Sequence, residues 1–286
     1  MSESRTESDL VVPSWMDYPV EDGREHSVVG TIKVMEQFWS PELENHRDIL
    51  VYLPPSYDAG DRRYPVIYMH DGQNLFDKAT SFADEWAVDE VMEDVSQDGV
   101  EAIVVGIPNM EEERCDEYSP FADPKHGGGK GDAYLYFIVN TLKPAVDRDF
   151  RTNPAREHTG IAGSSMGGLI SLYAFFRHPD VFGFTGVMSP ALWFAKRAIF
   201  GYVEQAPFVS GKIYLDVGTQ EGAEELTDVR RLRELLIAKD YQSGRDFFYV
   251  VEVGGRHEER AWARRLRKEL KLRLGSPPNG DAPVAP

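Results

Sequence analysis

Gly163-Ser164-Ser165-Met166-Gly167-Gly168 joins an apolar run, residues 158–162, to a stretch of helical spacing, residues 169–176. The order reads strand, sharp turn, helix. A serine in the middle of G-x-S-x-G in that setting sits on a strained turn, where small neighbours let the backbone double back and lift the hydroxyl into solvent. Ser165 is therefore the candidate nucleophile. The alternative for the same residues is close packing of a helix on a sheet with no chemistry; the strand before and the helix after favour the first reading.

Upstream of this turn, residues 28–38 and 47–53 are β-branched and alternating, and Pro54-Pro55 closes the second run, which predicts an antiparallel pair of strands. Residues 64–69 form a nearly unbroken apolar run, as a strand buried on both faces requires, and lead into the loop His70-Asp71-Gly72-Gln73-Asn74. Helical spacing follows over 84–95, then a second buried strand over 102–107. The polar stretch 108–130 is long for a loop in a compact domain, a length that marks function or mobility. Asp132 caps a helix running towards Phe150, and 183–188, 213–217 and 247–253 are further short strands, with helices at 226–238 and 258–272. This alternation predicts an α/β fold, a mostly parallel central sheet with helices on both faces. We expect one domain over residues 27–274, an N-terminal arm over 1–26 that is disordered or lies on the surface, and a disordered tail, rich in Pro, Gly and Ala, over 275–286.

Composition narrows the function classes. The chain has 286 residues, 42% of them hydrophobic, and carries 31 basic against 48 acidic side chains, a net charge of -17. Such a surface repels phosphate backbones and anionic lipids, so nucleic acid is not an expected partner. No stretch has the roughly 18 uninterrupted apolar residues of a membrane span, and the start is not built as a signal peptide. The single cysteine, Cys115, excludes an internal disulfide framework, and a cytoplasmic location is the expectation.

The rest of a site follows by elimination. In such sheets active groups lie at the carboxyl ends of the strands. Of seven histidines, only His178 and His257 come after the nucleophile, as the chain order serine, acid, histidine demands. His178 precedes Pro179 at a helix end, where histidines interact with terminal carbonyls. His257 follows the last strand and Gly254-Gly255, and is the candidate base. Between Ser165 and His257 the acid is either Asp216, inside the strand at 213–217, or Glu221, in the turn beyond Gly218-Thr219-Gln220. Glu221 is preferred, with its use as a helix-starting carboxylate as the bland alternative.

With these residues assembled, the chain resembles the putative-esterase family of α/β-hydrolases, which includes siderophore esterases, feruloyl esterases and mycolyltransferases. The resemblance runs from about Arg47 to Leu272, and is carried by YPVIYMHDGQNLFD, AGSSMGG with its helix and HPDVFG, VMSPALWF, LDVGTQE and GGRHEERAW. It implies an α/β-hydrolase fold and a serine esterase with Ser165 as nucleophile, His257 as base and an acid in the place of Glu221. Family members often carry aspartate in the G-T-x-D turn where this chain has glutamate, one methylene longer. By the same resemblance the oxyanion would face the amides of Met166 and Gly72, Gly72 lying in the HDGQN loop that stands where the family has its histidine-glycine loop.

Substrate choice then falls to the loops over the strand ends. Arg114, Tyr118, Phe121, Trp193 and Phe194 are the candidate substrate-binding residues, aromatics for an acyl or aryl group and Arg114 for a polar substituent. For the aromatics the alternative is ordinary packing, and for Arg114 an ion pair with Glu111 or Glu117. Trp86 and Trp262 fit helix faces. The expected partner is a small-molecule ester. Neither metal nor cofactor is called for, since His70-Asp71 lacks the spaced ligands of a zinc site. Two other classes stay open: an acyltransferase with the same triad, and a non-catalytic protein that keeps the fold for binding.

Overall fold

The computed structural model describes residues 14–20 and 22–274. The strands in chain order are β1 (Met16–Asp17), β2 (Thr31–Ser40), β3 (Asn45–Leu53), β4 (Val66–His70), β5 (Ile103–Ile107), β6 (Thr159–Ser164), β7 (Phe184–Met188), β8 (Lys212–Gly218) and β9 (Phe247–Glu252). Together they make one sheet of nine strands, in the order β1-β2-β3-β5-β4-β6-β7-β8-β9. β1 to β3 run antiparallel to their neighbours, and every pairing from β5 through β4 to β9 is parallel.

β4 to β7 are buried along their whole length, which is why their sequences read as apolar runs rather than alternating ones. Their side chains nevertheless divide between two cores. Val66 and Tyr68 of β4 enter one, Ile67 and Met69 the other, following the two-residue period of the pleat. The helices are α1 (Val88–Ser96), α2 (Arg114–Glu117), α3 (Gly131–Tyr136), α4 (Lys143–Asp149), α5 (Met166–Arg177), α6 (Phe194–Gln205), α7 (Ala223–Ala238) and α8 (Glu259–Leu274). α1 and α8 cover one face; α3 to α7 contribute to the core on the other. Helices thus cover both faces, as an α/β-hydrolase fold requires.

Local departures from the expected elements have physical causes. The first helix begins at Val88 rather than near Asp84, because residues 84–87 are drawn onto the loop after β4: the amides of Trp86 and Val88 donate to the carbonyls of Asn74 and Leu75. The helix expected from Asp132 widens into a π-turn over Phe137–Leu142, just before Pro144, whose missing N-H and bulky ring disfavour regular helix there. The stretch 108–130 is anchored by α2, whose Glu117 is fully buried and receives two hydrogen bonds from Arg47 of β3, at 2.7 and 2.9 Å. The described part of the N-terminal arm lies along the sheet edge, where Trp15 stands edge-on to Phe150 and donates to Asp149. The expected tail over 275–286 lies outside the described residues.

β4 is the strand at which the order reverses, with β5 on one side and β6 on the other. The crevice beyond the carboxyl ends of β4 and β6 is therefore the natural ligand site.

Candidate active site

Ser165 stands between β6 and α5 with φ 56 and ψ -120, a conformation that costs a non-glycine residue on the order of 1–3 kcal/mol and persists only where surroundings hold it. Two hydrogen bonds pin this turn: the Ser165 amide donates to Met188 O at 3.0 Å and the Ala191 amide to Ser165 O at 2.9 Å. The first glycine of the motif is required by space. A Cβ on Gly163 would come within 2.9 Å of both the Gly167 carbonyl carbon and the His70 ring. Met166 opens α5, so its amide has no acceptor one turn back within the helix.

His70 ends β4 and lies behind the elbow, fully buried, its Nδ1 2.8 Å from the Tyr134 hydroxyl. Burial pushes its imidazole down to about 3, so at neutral pH it is an uncharged packing group. After it Asp71 takes a left-handed φ of 57 and swings the chain into a tight turn over Gly72–Asn74. The Asp71 amide donates to Tyr118 Oη at 3.0 Å. A Cβ on Gly72 would lie 2.6 Å from the backbone nitrogens of Ile107 and Pro108, so the close approach of this turn to the end of β5 demands glycine.

At the far end of the sheet, β8 runs into the turn that carries Glu221. Its Oε2 is 3.0 Å from His257 Nδ1. Its Oε1 accepts from the Gly218 amide at 2.6 Å, Ser189 Oγ at 2.7 Å and Arg265 Nη2 at 3.1 Å. Burial alone would raise this carboxyl; the bonds from His257 and Ser189 and the Arg265 charge outweigh it and hold it below the usual glutamate range. Asp216, the other candidate acid, is fully buried in β8 and serves a different circle, accepting from the Ser189 amide at 3.0 Å and Arg265 Nη1 at 2.9 Å. Burial, countered by Arg265 and reinforced by Glu269, pushes it up to about 7. The acid in contact with the histidine is thus Glu221. His257 itself stands edge-on to Trp262, with ring centroids 5.0 Å apart.

Ser165 and His257 line one cleft of about 1000 Å³, together with Asp71, Gln73, Asn74, Asn109, Arg114, Trp86 and Trp262. Arg114 is at the cleft as expected, but its guanidinium is bound to Asp71 through two bonds of 2.7 and 2.8 Å, rather than to Glu111 or Glu117. Asn109 adds a third donor to that carboxylate at 2.6 Å. Burial would raise Asp71, yet these partners bring it below the ordinary aspartate range.

The expected aromatic wall is elsewhere. Tyr118 is buried beneath the Asp71 turn, its ring against His70 and Tyr134, and Phe194 is buried in the core. Trp193 is half-exposed beside His126, and Phe121 packs on Tyr173 and Tyr202. None of these four lines the cleft. Its aromatics are instead Phe82, Trp86 and Trp262, the two tryptophans 5.5 Å apart. Trp86 and Trp262 are buried in the core, as helical spacing reads them, and border the cleft as well, which spacing alone does not show.

The profile of the family described as "Putative esterase" matches residues 40–272. Among curated proteins, the Uncharacterized protein YbbA of Bacillus subtilis (strain 168) is 28% identical over 201 residues, spanning 68% of this chain and 76% of that one. The Siderophore enterobactin esterase of Emericella nidulans is 29% identical over 174 residues, 54% of this chain and 55% of that one. The Endo-1,4-beta-xylanase/feruloyl esterase of Xylanibacter ruminicola is 25% identical over 239 residues, 81% of this chain and 30% of that one. The chain thus spans about half or less of these two esterases. Among solved structures, the BES protein from Bacillus cereus superposes with a TM-score of 0.66 at 22% identity, covering 88% of this chain and 97% of that one. The enterobactin esterase FES from Shigella flexneri gives 0.68 at 21% identity, with 86% and 60% covered. At such identities the solved structures speak for the fold alone.

Proposed function

We propose, from the premise that the chain belongs to the putative-esterase family and is an ester-hydrolysing enzyme, that it cleaves carboxylic esters through an acyl-enzyme on Ser165, with His257 as base and Glu221 as the acid that orients it. The observation that carries this reading is a single cleft lined by a serine on a strained elbow and a histidine whose Nδ1 is 3.0 Å from a buried glutamate. With Nδ1 engaged, Nε2 is the ring nitrogen left to take the serine proton, and the carboxylate stabilises the imidazolium that forms. Water then attacks the acyl-enzyme, with His257 again as base.

Two amides suit the oxyanion. Met166 heads α5, where the helix dipole adds to its donor. In the opposite turn the Asp71 amide is spent on Tyr118, which leaves the next amide, that of Gly72, as the donor. A bare carboxylate at Asp71 would oppose a developing oxyanion, and Arg114 with Asn109 offsets that charge.

The cleft also bears on the substrate. Trp86, Trp262 and Phe82 suit an apolar acyl or aryl group. The remaining charged residues of its wall, Glu111, Glu112 and Glu259, are acidic, and burial followed by the charges of Asp84 and Asp71 pushes Glu259 up. We assign a soluble ester that is neutral or cationic. The test compares wild type and Ser165→Ala on p-nitrophenyl and methyl esters of graded acyl length, alongside fluorophosphonate labelling. Turnover and labelling by wild type alone supports the reading; a folded wild type that does neither overturns it.

A further inference from the structure

Three carboxylates meet away from the cleft. Glu85, Asp89 and Glu90, at the start of α1, place one oxygen each within 4.8 Å of one another. Asp89 is fully buried and Glu85 and Glu90 partly so. One oxygen of each carboxyl is engaged or open: Glu85 Oε2 accepts from Ser27 Oγ and Asp89 Oδ2 from the Val29 amide, both at 2.8 Å. The second observation concerns the other oxygens. Glu85 Oε1, Asp89 Oδ1 and Glu90 Oε2 are each shut off from solvent with no donor from outside the cluster, Asp89 and Glu90 facing only each other's carboxyl. A buried acceptor left without a donor is destabilising, more so when charged, and here three gather in one place.

Arginines come near without serving them. α8 packs against α1, but its Arg260 is held by Asp84 and its Arg267 by Asp94. Among the described residues no lysine or arginine is paired with Glu85, Asp89 or Glu90.

Three such carboxylates need a counter-charge, either protons or a cation. We infer that Glu85, Asp89 and Glu90 form a binding site for a divalent hard cation, calcium in preference to magnesium, that ties residues 27–29 to the start of α1. Calcium accepts six to eight oxygens at roughly 2.3–2.6 Å, so oxygens on one ion lie up to about 5 Å apart, a spread that the cluster matches. Magnesium holds ligands nearer 2.0–2.1 Å and gives up its waters reluctantly. The ion has a consequence for the cleft. The stretch between Asp77 and α1 carries Thr80, Phe82, Ala83 and Trp86 of its wall, and fixing Glu85 restrains that stretch.

The test needs no ester, so it stands apart from the catalytic reading. Full-length protein is stripped with EDTA, returned to chelator-free buffer, titrated calorimetrically with CaCl2 and unfolded by heat with and without it, with MgCl2 in parallel. Wild type is expected to bind about one calcium and to gain roughly 5 °C in Tm at a hundredfold excess over Kd, with a smaller effect of magnesium. Glu90→Gln and Glu85→Gln are expected to weaken calcium binding at least about tenfold, since carboxylate count sets affinity. Should Glu90→Gln fail to fold, Glu85→Gln carries the comparison. A folded wild type that neither binds calcium nor gains stability leaves a proton-sharing cluster and overturns the inference. Equal calcium binding by wild type and the folded variants places the ion elsewhere and overturns it too.

Discussion

Replacing Arg265 by methionine tests the foundation on which Glu221 stands. Arg265 is almost fully buried on α8, with Nη1 2.9 Å from Asp216 Oδ1 and Nη2 3.1 Å from both Glu221 Oε1 and Ser189 Oγ. Methionine fills part of the space and leaves two buried carboxylates without their cation. Breaking a buried pair in this way costs about 3–5 kcal/mol. The cost depends on pH in a direction the structure sets. Asp216 has a folded value of about 7 against an ordinary 3.8. A carboxyl raised on folding contributes fully below its unfolded value, and that contribution is lost as pH rises through its folded one. In wild type the loss ends near 7, where Arg265 compensates the ionised form. Without Arg265 the folded value climbs further and the loss continues, at about 1.4 kcal/mol per pH unit. Urea unfolding should therefore show Arg265→Met less stable than wild type by about 3 kcal/mol near pH 6 and by about 4 near pH 8. A difference below about 1 kcal/mol, or one that does not grow between these pH values, refutes the reasoning. In the same variant kcat should fall about tenfold or more, as Glu221 loses a partner, and Arg265→Lys should restore part of it.

The two candidate acids separate by mutation: Glu221→Gln should lower kcat by about 10²–10⁴ with folding intact, and Asp216→Asn should lower it less than tenfold, both read by steady-state kinetics on one neutral ester. Arg114→Met should lower kcat by about tenfold with a smaller change in KM, because it unmasks the Asp71 charge beside the developing oxyanion; an effect confined to KM would assign Arg114 to substrate binding instead. Among acyl chains matched in length, an anionic ester should show a kcat/KM at least about fivefold below its neutral counterpart, and added salt should narrow the gap by screening the acidic wall. Equal rates at low salt would dismiss the charge preference.

How far the chain could be read without coordinates depended on how local the physics is. The buried strands of β4 to β7 announce themselves as apolar runs because burial on both faces removes alternation. The elbow is equally local: six residues carry the glycines, the serine and the strand-to-helix switch. The start of α1 was not legible, since residues 84–87 are held by carbonyls of Asn74 and Leu75 ten and more positions away. Nor was the π-turn before Pro144, although proline marks where regular hydrogen bonding must yield.

The site divides along the same line. Ser165 and His257, on which the proposed reaction rests, follow from chain order and strand ends, and the choice between Asp216 and Glu221 could be framed but not argued to its end, because the two lie only five residues apart on β8 and the turn after it. What separates them is Ser189. Its amide faces Asp216, while its hydroxyl, which accepts from Trp262 Nε1 and Arg265, donates to Glu221. That hydroxyl joins β7, β8 and α8 at one atom, and no spacing along the chain encodes it. Arg114 illustrates the converse. Its neighbours in sequence, Glu111 and Glu117, were the natural partners by proximity, yet Glu117 is committed to Arg47 in the core and Asp71 has turned, at a left-handed φ, to face the cleft. In the proposed mechanism this strained turn decides both which amide is left for an oxyanion and which arginine neutralises the carboxylate beside it. The elbow at Ser165 and the turn at Asp71 are both positive-φ residues at the ends of adjacent parallel strands, β6 and β4. The cleft is built where the backbone is bent against its preference on two neighbouring strands at once.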